Sequence, residues 1–459
     1  MQEPIAPAEE MRRPLTVLKN CATECASNVW DSLRGRLCPV IRHPSAIMTM
    51  SAPASPSPHP GMGFRQFVAL IAALMAVNAL AIDSMLPALA IMGDALAIPT
   101  DNQRQWIITA YLLGFGATQI IYGPLADRFG RKPVLLTGLA IFVVFSIAAA
   151  FATTFSTLIL ARVLQGVGSA ATRVLTVSIV RDSYSGRKMA RVMSLSFIVF
   201  LAIPILAPSL GQAILLVAPW PWIFGVLAIF GSAVALWAAW KLPETLHPED
   251  RTPIRVSTIA RAFRLALTTR LAVGYMSAMG IVFGGLFGFI TSSQQIFVDV
   301  FDQEILFPAI FALIAFFMAM SSLLNATIVE RLGMRLVSHT ALVGYIGFAA
   351  LHAAVAYLGY ETLWTFTILQ GAMMFCFGLV GPNFGAMAME PLGHIAGTAS
   401  AVQGFFTTIC GALLGFLIGQ SFDGTVVPLT LGFLFCGVAA LLIVLITERG
   451  RLFRSSSAA

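Results

Sequence analysis

Three ionisable side chains fall well inside long apolar runs: Asp83, Arg162 and Arg173. A charge at the centre of a bilayer-spanning helix costs about 2.5–3.5 kcal/mol on insertion scales, so each position implies a use that offsets the cost. A carboxyl that alternates between wet and dry surroundings can take up and release a proton, since burial and a nearby cation act on it in opposite directions. Depth selects the neighbour. The run carrying Asp83 leads outward and the run carrying Arg162 leads inward. Counted from the outer ends at 1.5 Å per residue, Asp83 lies roughly 12 Å deep and Arg162 roughly 9 Å, with Arg173 roughly 16 Å further in. The spacing predicts Asp83 and Arg162 as a proton-coupling pair at one level; a static ion pair, or an Asp83 that opens to water, is the plainer alternative. Arg173 has no acid at its own depth. It could reach Asp182 or backbone carbonyls near the inner end, or line a cavity and favour anionic or neutral solutes. Gln165 and Asn383 are further cavity candidates.

The densest charge cluster is Gly123-Pro124-Leu125-Ala126-Asp127-Arg128-Phe129-Gly130-Arg131-Lys132-Pro133. It reads as a helix end, a tight turn and a new helix start. At a helix C-terminus the dipole disfavours Asp127 by about 0.3–1 kcal/mol, so Arg131 or the positive N-terminus of another helix must offset it. The eleventh apolar run starts on the same side with the small residues Gly397-Thr398-Ala399-Ser400-Ala401, which allow close approach. Asp127 is therefore expected to latch two parts of the molecule together when the outer side is open. A cluster that merely fixes topology is the alternative. The six histidines are scattered, and no metal-ligand spacing, nucleophile elbow or phosphate loop occurs. These absences argue against an enzyme, a metal site and ATP-driven work.

The elements that must position these residues follow from composition. Of 459 residues, 58% are hydrophobic and 11% charged, whereas a soluble surface needs roughly a quarter of the chain charged. Apolar runs of the length a bilayer requires are expected at 66–91, 104–125, 134–153, 156–179, 191–216 and 221–242. Six more follow at 271–293, 305–327, 336–358, 362–387, 397–419 and 425–447. Lys and Arg crowd alternate loops (Arg128, Arg131 and Lys132; Arg181, Arg187 and Lys188; Arg331 and Arg335; Arg449 and Arg451), while the opposite loops carry Arg104 among many acids. The positive-inside rule then places both termini in the cytoplasm. The fold class is all-α integral membrane. Its expected parts are an extension at 1–64, a six-helix bundle at 65–242, a linker at 243–270, a second bundle at 271–447 and a tail at 448–459. The net charge of +7 belongs to this sidedness, not to nucleic acid.

The extension, with its Ser/Pro/Ala tract, is expected to be disordered, and translation to start at Met48 or Met50. Its Cys21 and Cys25 are a poor zinc pair without a second pair nearby. In the linker, Ile259, Phe263 and Leu267 suit a basic amphipathic helix on the inner leaflet or, equally, a solvated linker. Trp220 and Trp222 read as interfacial anchors. The halves echo each other: Asp127-Arg128-Phe129-Gly130 returns as Glu330-Arg331-Leu332-Gly333, and Leu164-Gln165-Gly166 as Leu369-Gln370-Gly371, at offsets of 203 and 205 residues.

Parallel six-helix halves and the Gly123–Lys132 motif resemble the major facilitator superfamily. Asp83-x-x-Leu86-Pro87-Ala88, Gln119 through Pro133, Arg162-x-x-Gln165-Gly166-x-Gly168, Pro204-x-x-Ala207-Pro208-x-x-Gly211 and Pro243-Glu244-Thr245-Leu246 resemble the twelve-helix drug:proton antiporters of the bicyclomycin/chloramphenicol resistance branch. Gln212 departs from that branch, where a second glycine follows Gly211. The resemblance spans roughly residues 64–450. It implies a monomer in the bacterial inner membrane that exports small amphipathic compounds in exchange for protons, with no bound cofactor. In it Pro204, Pro208 and Gly211 would form the antiporter element of helix 5. A transporter for a specific metabolite or nutrient is the alternative.

Overall fold

Apolar runs too long to be hidden in a soluble core become helices because, in lipid, only the helix satisfies each backbone group within its own segment. In the computed structural model the described residues are 62–453 apart from 185, 252, 254 and 255. The expectations for the N-terminal extension, its cysteines and its start, and for the last residues of the tail, lie outside them. No strand occurs among the described residues. Twelve long helices carry the fold. They are α1 (Phe64–Asp83), α2 (Trp106–Phe129), α3 (Arg131–Ala150), α4 (Phe155–Ser183), α5 (Gly186–Val217) and α6 (Pro221–Lys241). The second set is α7 (Arg270–Gln295), α8 (Phe307–Leu332), α9 (Met334–Tyr357), α10 (Leu363–Met389), α11 (Ala396–Gln420) and α12 (Val427–Thr447). Eleven are long and apolar enough to cross a membrane, and the outer part of α5, Ala202–Val217, is a shorter apolar helix.

Duplication shows in the details of capping. Gly130 ends α2 at φ +103°, ψ 155°, and Gly333 ends α8 at φ +81°, ψ 150°, the same glycine-only turn in both halves. Thr154 with Thr157 and Thr362 with Thr365 form reciprocal capping boxes that start α4 and α10. A third echo was not legible beforehand. Glu244 after α6 accepts the Arg131 and Lys132 backbone N–H groups at the start of α3 (2.9 and 3.3 Å). Glu448 after α12 accepts from the Arg335 side chain at the start of α9 (3.0 Å).

The two halves meet along α2 with α11 and α5 with α8. Between them the linker forms a helix at Val256–Thr268 that packs on α11, with the Phe263 ring 5.8 Å from that of Phe405 and Ala266 fully buried. Phe263 and Ala266 thus cover protein, whereas Leu267 is exposed. Trp220 departs from expectation in the same way: it is buried edge-on to Phe224, and only Trp222 of the pair is exposed.

Candidate functional site

Asp83 lies where α1 stops. Pro87 has no N–H to continue the ladder, so the chain turns at Ser84, makes one 3-10 turn at Leu86–Ala88 and resumes as Leu89–Ala95. Helix α5 crosses this break so closely that a Cβ on Gly211 would fall 1.8 Å from the Ser84 carbonyl oxygen. Only glycine fits there, which accounts for one residue of the expected helix 5 element. Pro204 and Pro208 lie inside the same helix, Pro208 buried and Pro204 half-buried.

Arg162 is wholly buried, and each of its terminal groups is spoken for. Nε donates to the Ile107 carbonyl (2.9 Å), Nη2 to the Ala81 carbonyl (3.1 Å) and Nη1 to Gln165 Oε1. Its guanidinium lies 4.4 Å from the Tyr111 ring centre and 5.8 Å from that of Phe224, near enough for cation–π attraction. Gln165 in turn donates to Ser146 Oγ (2.7 Å). The Tyr111 hydroxyl bridges Asn78 Oδ1 (2.9 Å) and Ser169 Oγ (2.7 Å). The expected level is right, since Arg162 reaches a carbonyl two residues from Asp83. The expected ion pair is not formed in this conformation: among the described residues Asp83, 4% exposed, has neither a salt-bridge nor a hydrogen-bond partner.

The other cavity candidates divide. Gln165 is buried beneath Arg162, and Asn383 is buried between α10 and α8, donating to Asn325 Oδ1 and the Leu379 carbonyl (both 2.7 Å). Both are buried and held by these interior hydrogen bonds. Arg173 is exposed although it lies deep in the protein.

At the cytoplasmic end Arg131 is clamped between Asp127 (2.6 Å) and Asp182 (3.0 Å). Its own backbone N–H bonds Glu244, so the start of α3 is held by three carboxylates from α2, α4 and the chain after α6. Gly130 is required twice there, by its positive φ and because a Cβ would fall 2.4 Å from Glu244 Oε2. Lys132 Nζ caps the Ala239 carbonyl of α6 (2.7 Å). Arg128 is exposed over Phe129, and Gly123 faces open space. Among the described residues Asp127 makes no hydrogen bond or ion pair with α11; Arg131 is its partner. Asp182 thereby goes to Arg131 and not to Arg173.

At the outer end an amide cluster ties the halves together, and nothing in the sequence pattern singled it out. Gln105 Nε2 donates to Gln295 Oε1 (2.6 Å) and to the Gly419 carbonyl (2.9 Å). Asn102 Nδ2 donates to the Gln420 and Phe422 carbonyls, Gln295 Nε2 to Asn102 Oδ1, and Gln420 Nε2 to the Asn102 carbonyl. Just below, the Trp106 and Phe416 rings lie 4.3 Å apart. The contact between α2 and α11 continues to Gln119 Nε2 and Thr408 Oγ1 (3.1 Å). Beyond it Gly123 meets no atom within 4 Å of where a Cβ would lie. The halves are joined at the outer end, and toward the cytoplasm Gln119 still reaches Gly404 and Arg181 still reaches Gly397 of α11.

Two six-helix halves, tied together at the outer end around buried ionisable groups, are the architecture of a multi-pass membrane transporter. The chain matches the Major Facilitator Superfamily over residues 71–415, and it belongs to that family. It is 30% identical over 372 residues to the uncharacterized MFS-type transporter YdgK of Bacillus subtilis, covering 78% of this chain and 90% of that one. The bicyclomycin resistance protein homolog of Haemophilus influenzae is 27% identical over 379 residues (82% and 94%), and the multidrug resistance protein MdtL of Klebsiella pneumoniae 28% over 363 (77% and 88%). In fold it is similar to the human organic anion transporter MFSD10 (TETRAN), with a TM-score of 0.61 at 16% identity over 84% of this chain and 99% of that one.

Proposed function

We propose that this chain is a proton-driven antiporter that exports small amphipathic compounds from a bacterial cytoplasm across the inner membrane, acting as a monomer without a bound cofactor and without catalysing a reaction. The observation that carries the reading is Asp83: a buried carboxyl with no ionic partner, at a helix break, one contact away from a neighbouring helix. Such a group can change charge without first breaking a salt bridge. Its protonation acts on the α1 break, and the Ser84–Gly211 contact passes the change to α5, which packs against α8 of the other half. The names of the bicyclomycin and multidrug resistance relatives support the export of drug-like solutes.

The test is transport by the purified chain in proteoliposomes with an imposed pH gradient, scanning bicyclomycin, chloramphenicol and lipophilic dyes. Accumulation that collapses with the gradient is expected. Uptake that is indifferent to the gradient overturns proton antiport.

A further inference from the structure

Arg173 is the one residue of the intramembrane trio that the coupling site does not absorb. It lies 11 residues beyond Arg162 on α4, roughly 16 Å toward the cytoplasm, and roughly 15 Å from the end of that helix at Ser183. Eleven residues is about three helical turns, so the exposed Arg173 lies on the face of α4 that carries Arg162 toward α1 and α2. Exposure continues along one stripe of α4 through Val177 to Arg181. Arg181 shows which way the stripe faces: its Nη1 would lie 3.5 Å from a Cβ on Gly397, at the start of α11 in the other half. The stripe therefore lines the gap between α4 and the other half.

Within that gap Arg173 has no counter-charge. Among the described residues it makes no hydrogen bond and no ion pair. The nearby carboxylates are committed elsewhere: Asp127 and Asp182 to Arg131, and Glu244 to the start of α3. On α1, α5, α7, α10 and α11 the only carboxylate is Asp83, which is buried. Arg162, by contrast, donates a hydrogen bond from each of its three nitrogens. An unpaired guanidinium at membrane depth is costly, and its planar fork fits a carboxylate or phosphate with two parallel bonds.

We infer that Arg173 is a substrate-recognition residue, and that the solutes this gap takes from the cytoplasm are amphipathic organic anions or zwitterions whose acidic group pairs with it. The inference rests on the export reading above and narrows its substrate class. Arg181 at the mouth adds a second positive charge, which draws the same class inward before Arg173 binds it.

The experiment uses matched pairs on aryl scaffolds, each a carboxylate such as 1-pyrenebutyrate and its uncharged methyl ester. Binding is read by fluorescence on the detergent-purified full chain, and movement in proteoliposomes under a pH gradient. Across the panel the acids are expected to bind at least tenfold more tightly than their esters. Arg173→Gln abolishes the preference and leaves ester binding within twofold; Arg173→Lys keeps part of it. Wild-type protein without an acid-over-ester preference anywhere in the panel overturns the inference whether or not the variants fold, as does a preference that survives Arg173→Gln. The two readings fail separately. Gradient-driven movement of esters and acids alike leaves export standing and removes the role of Arg173, whereas an Arg173-dependent binding preference with no gradient-driven movement removes proton antiport alone.

Discussion

Asp83 and Arg162 are the same kind of outlier in the sequence and opposite kinds of residue in the fold. Arg162 bonds two carbonyls and an amide and lies against two aromatic faces. Asp83 has no ionic partner among the described residues, as the proposed proton exchange requires. Asp83→Asn keeps the shape and removes the exchange. The variant is expected to bind solute within about threefold of wild type and to equilibrate it, while losing at least tenfold in gradient-driven accumulation. Full accumulation by the variant would place the coupling proton elsewhere. The pairing could not be read from the sequence because counting residues along a helix fixes depth and leaves its rotation open. Arg162 turns toward backbone carbonyls of α1 and α2, acceptors that every sequence contains and none advertises.

At the scale of the elements, most of the fold was legible. Apolar length and loop charge are local properties, so twelve spans, their sidedness and the two halves followed directly. Close approach is not local. Gly123 and Gly211 look alike in sequence, yet only Gly211 faces a backbone oxygen. Gly211→Ala must push α5 off the α1 break and is expected to cost about 1–3 kcal/mol, seen as a lower melting temperature and reduced transport. Gly123→Ala meets open space in this conformation and should leave melting unchanged or slightly raised. If it nevertheless slows transport, α2 and α11 close on that position elsewhere in the cycle, as the expected Asp127 latch requires.

The tail offers a second test at this scale. Burial works to raise the pKa of Glu448, but the hydrogen bonds from the Tyr275 hydroxyl and Arg335 outweigh it and hold the carboxyl below its ordinary 4.5. A depressed acid contributes stability above its ordinary value and loses it as pH falls through the folded value. Glu448→Gln should therefore melt lower than wild type at pH 7, with the gap narrowing below about pH 4.5. A gap that widens in acid would contradict the assignment.

For the whole molecule, the outer seal and the proposed coupling residue are chemically independent. Asn102, Gln105, Gln295 and Gln420 are neutral amides, so the bonds among them carry no charge that titrates. Helix-end amides look like ordinary loop residues in a sequence, and this cluster becomes visible only once three distant segments meet. Gln295→Ala removes its bonds to Gln105 and Asn102, each worth about 0.5–1.5 kcal/mol net. A bias of about 1–3 kcal/mol changes a two-state ratio by roughly 5- to 150-fold. Spin labels at Thr100→Cys and Asp423→Cys, on exposed positions of the two halves in a background lacking native cysteines, report the outer separation. Gln295→Ala should enlarge the long-distance population by about tenfold at both pH 6 and pH 8. If Asp83 carries the proton, the wild-type distances should shift between those pH values, Gln295→Ala should keep that shift on top of its own, and Asp83→Asn should lose it. A seal that loosens with pH in Asp83→Asn would locate the sensor outside α1, because the amide cluster has no proton to give.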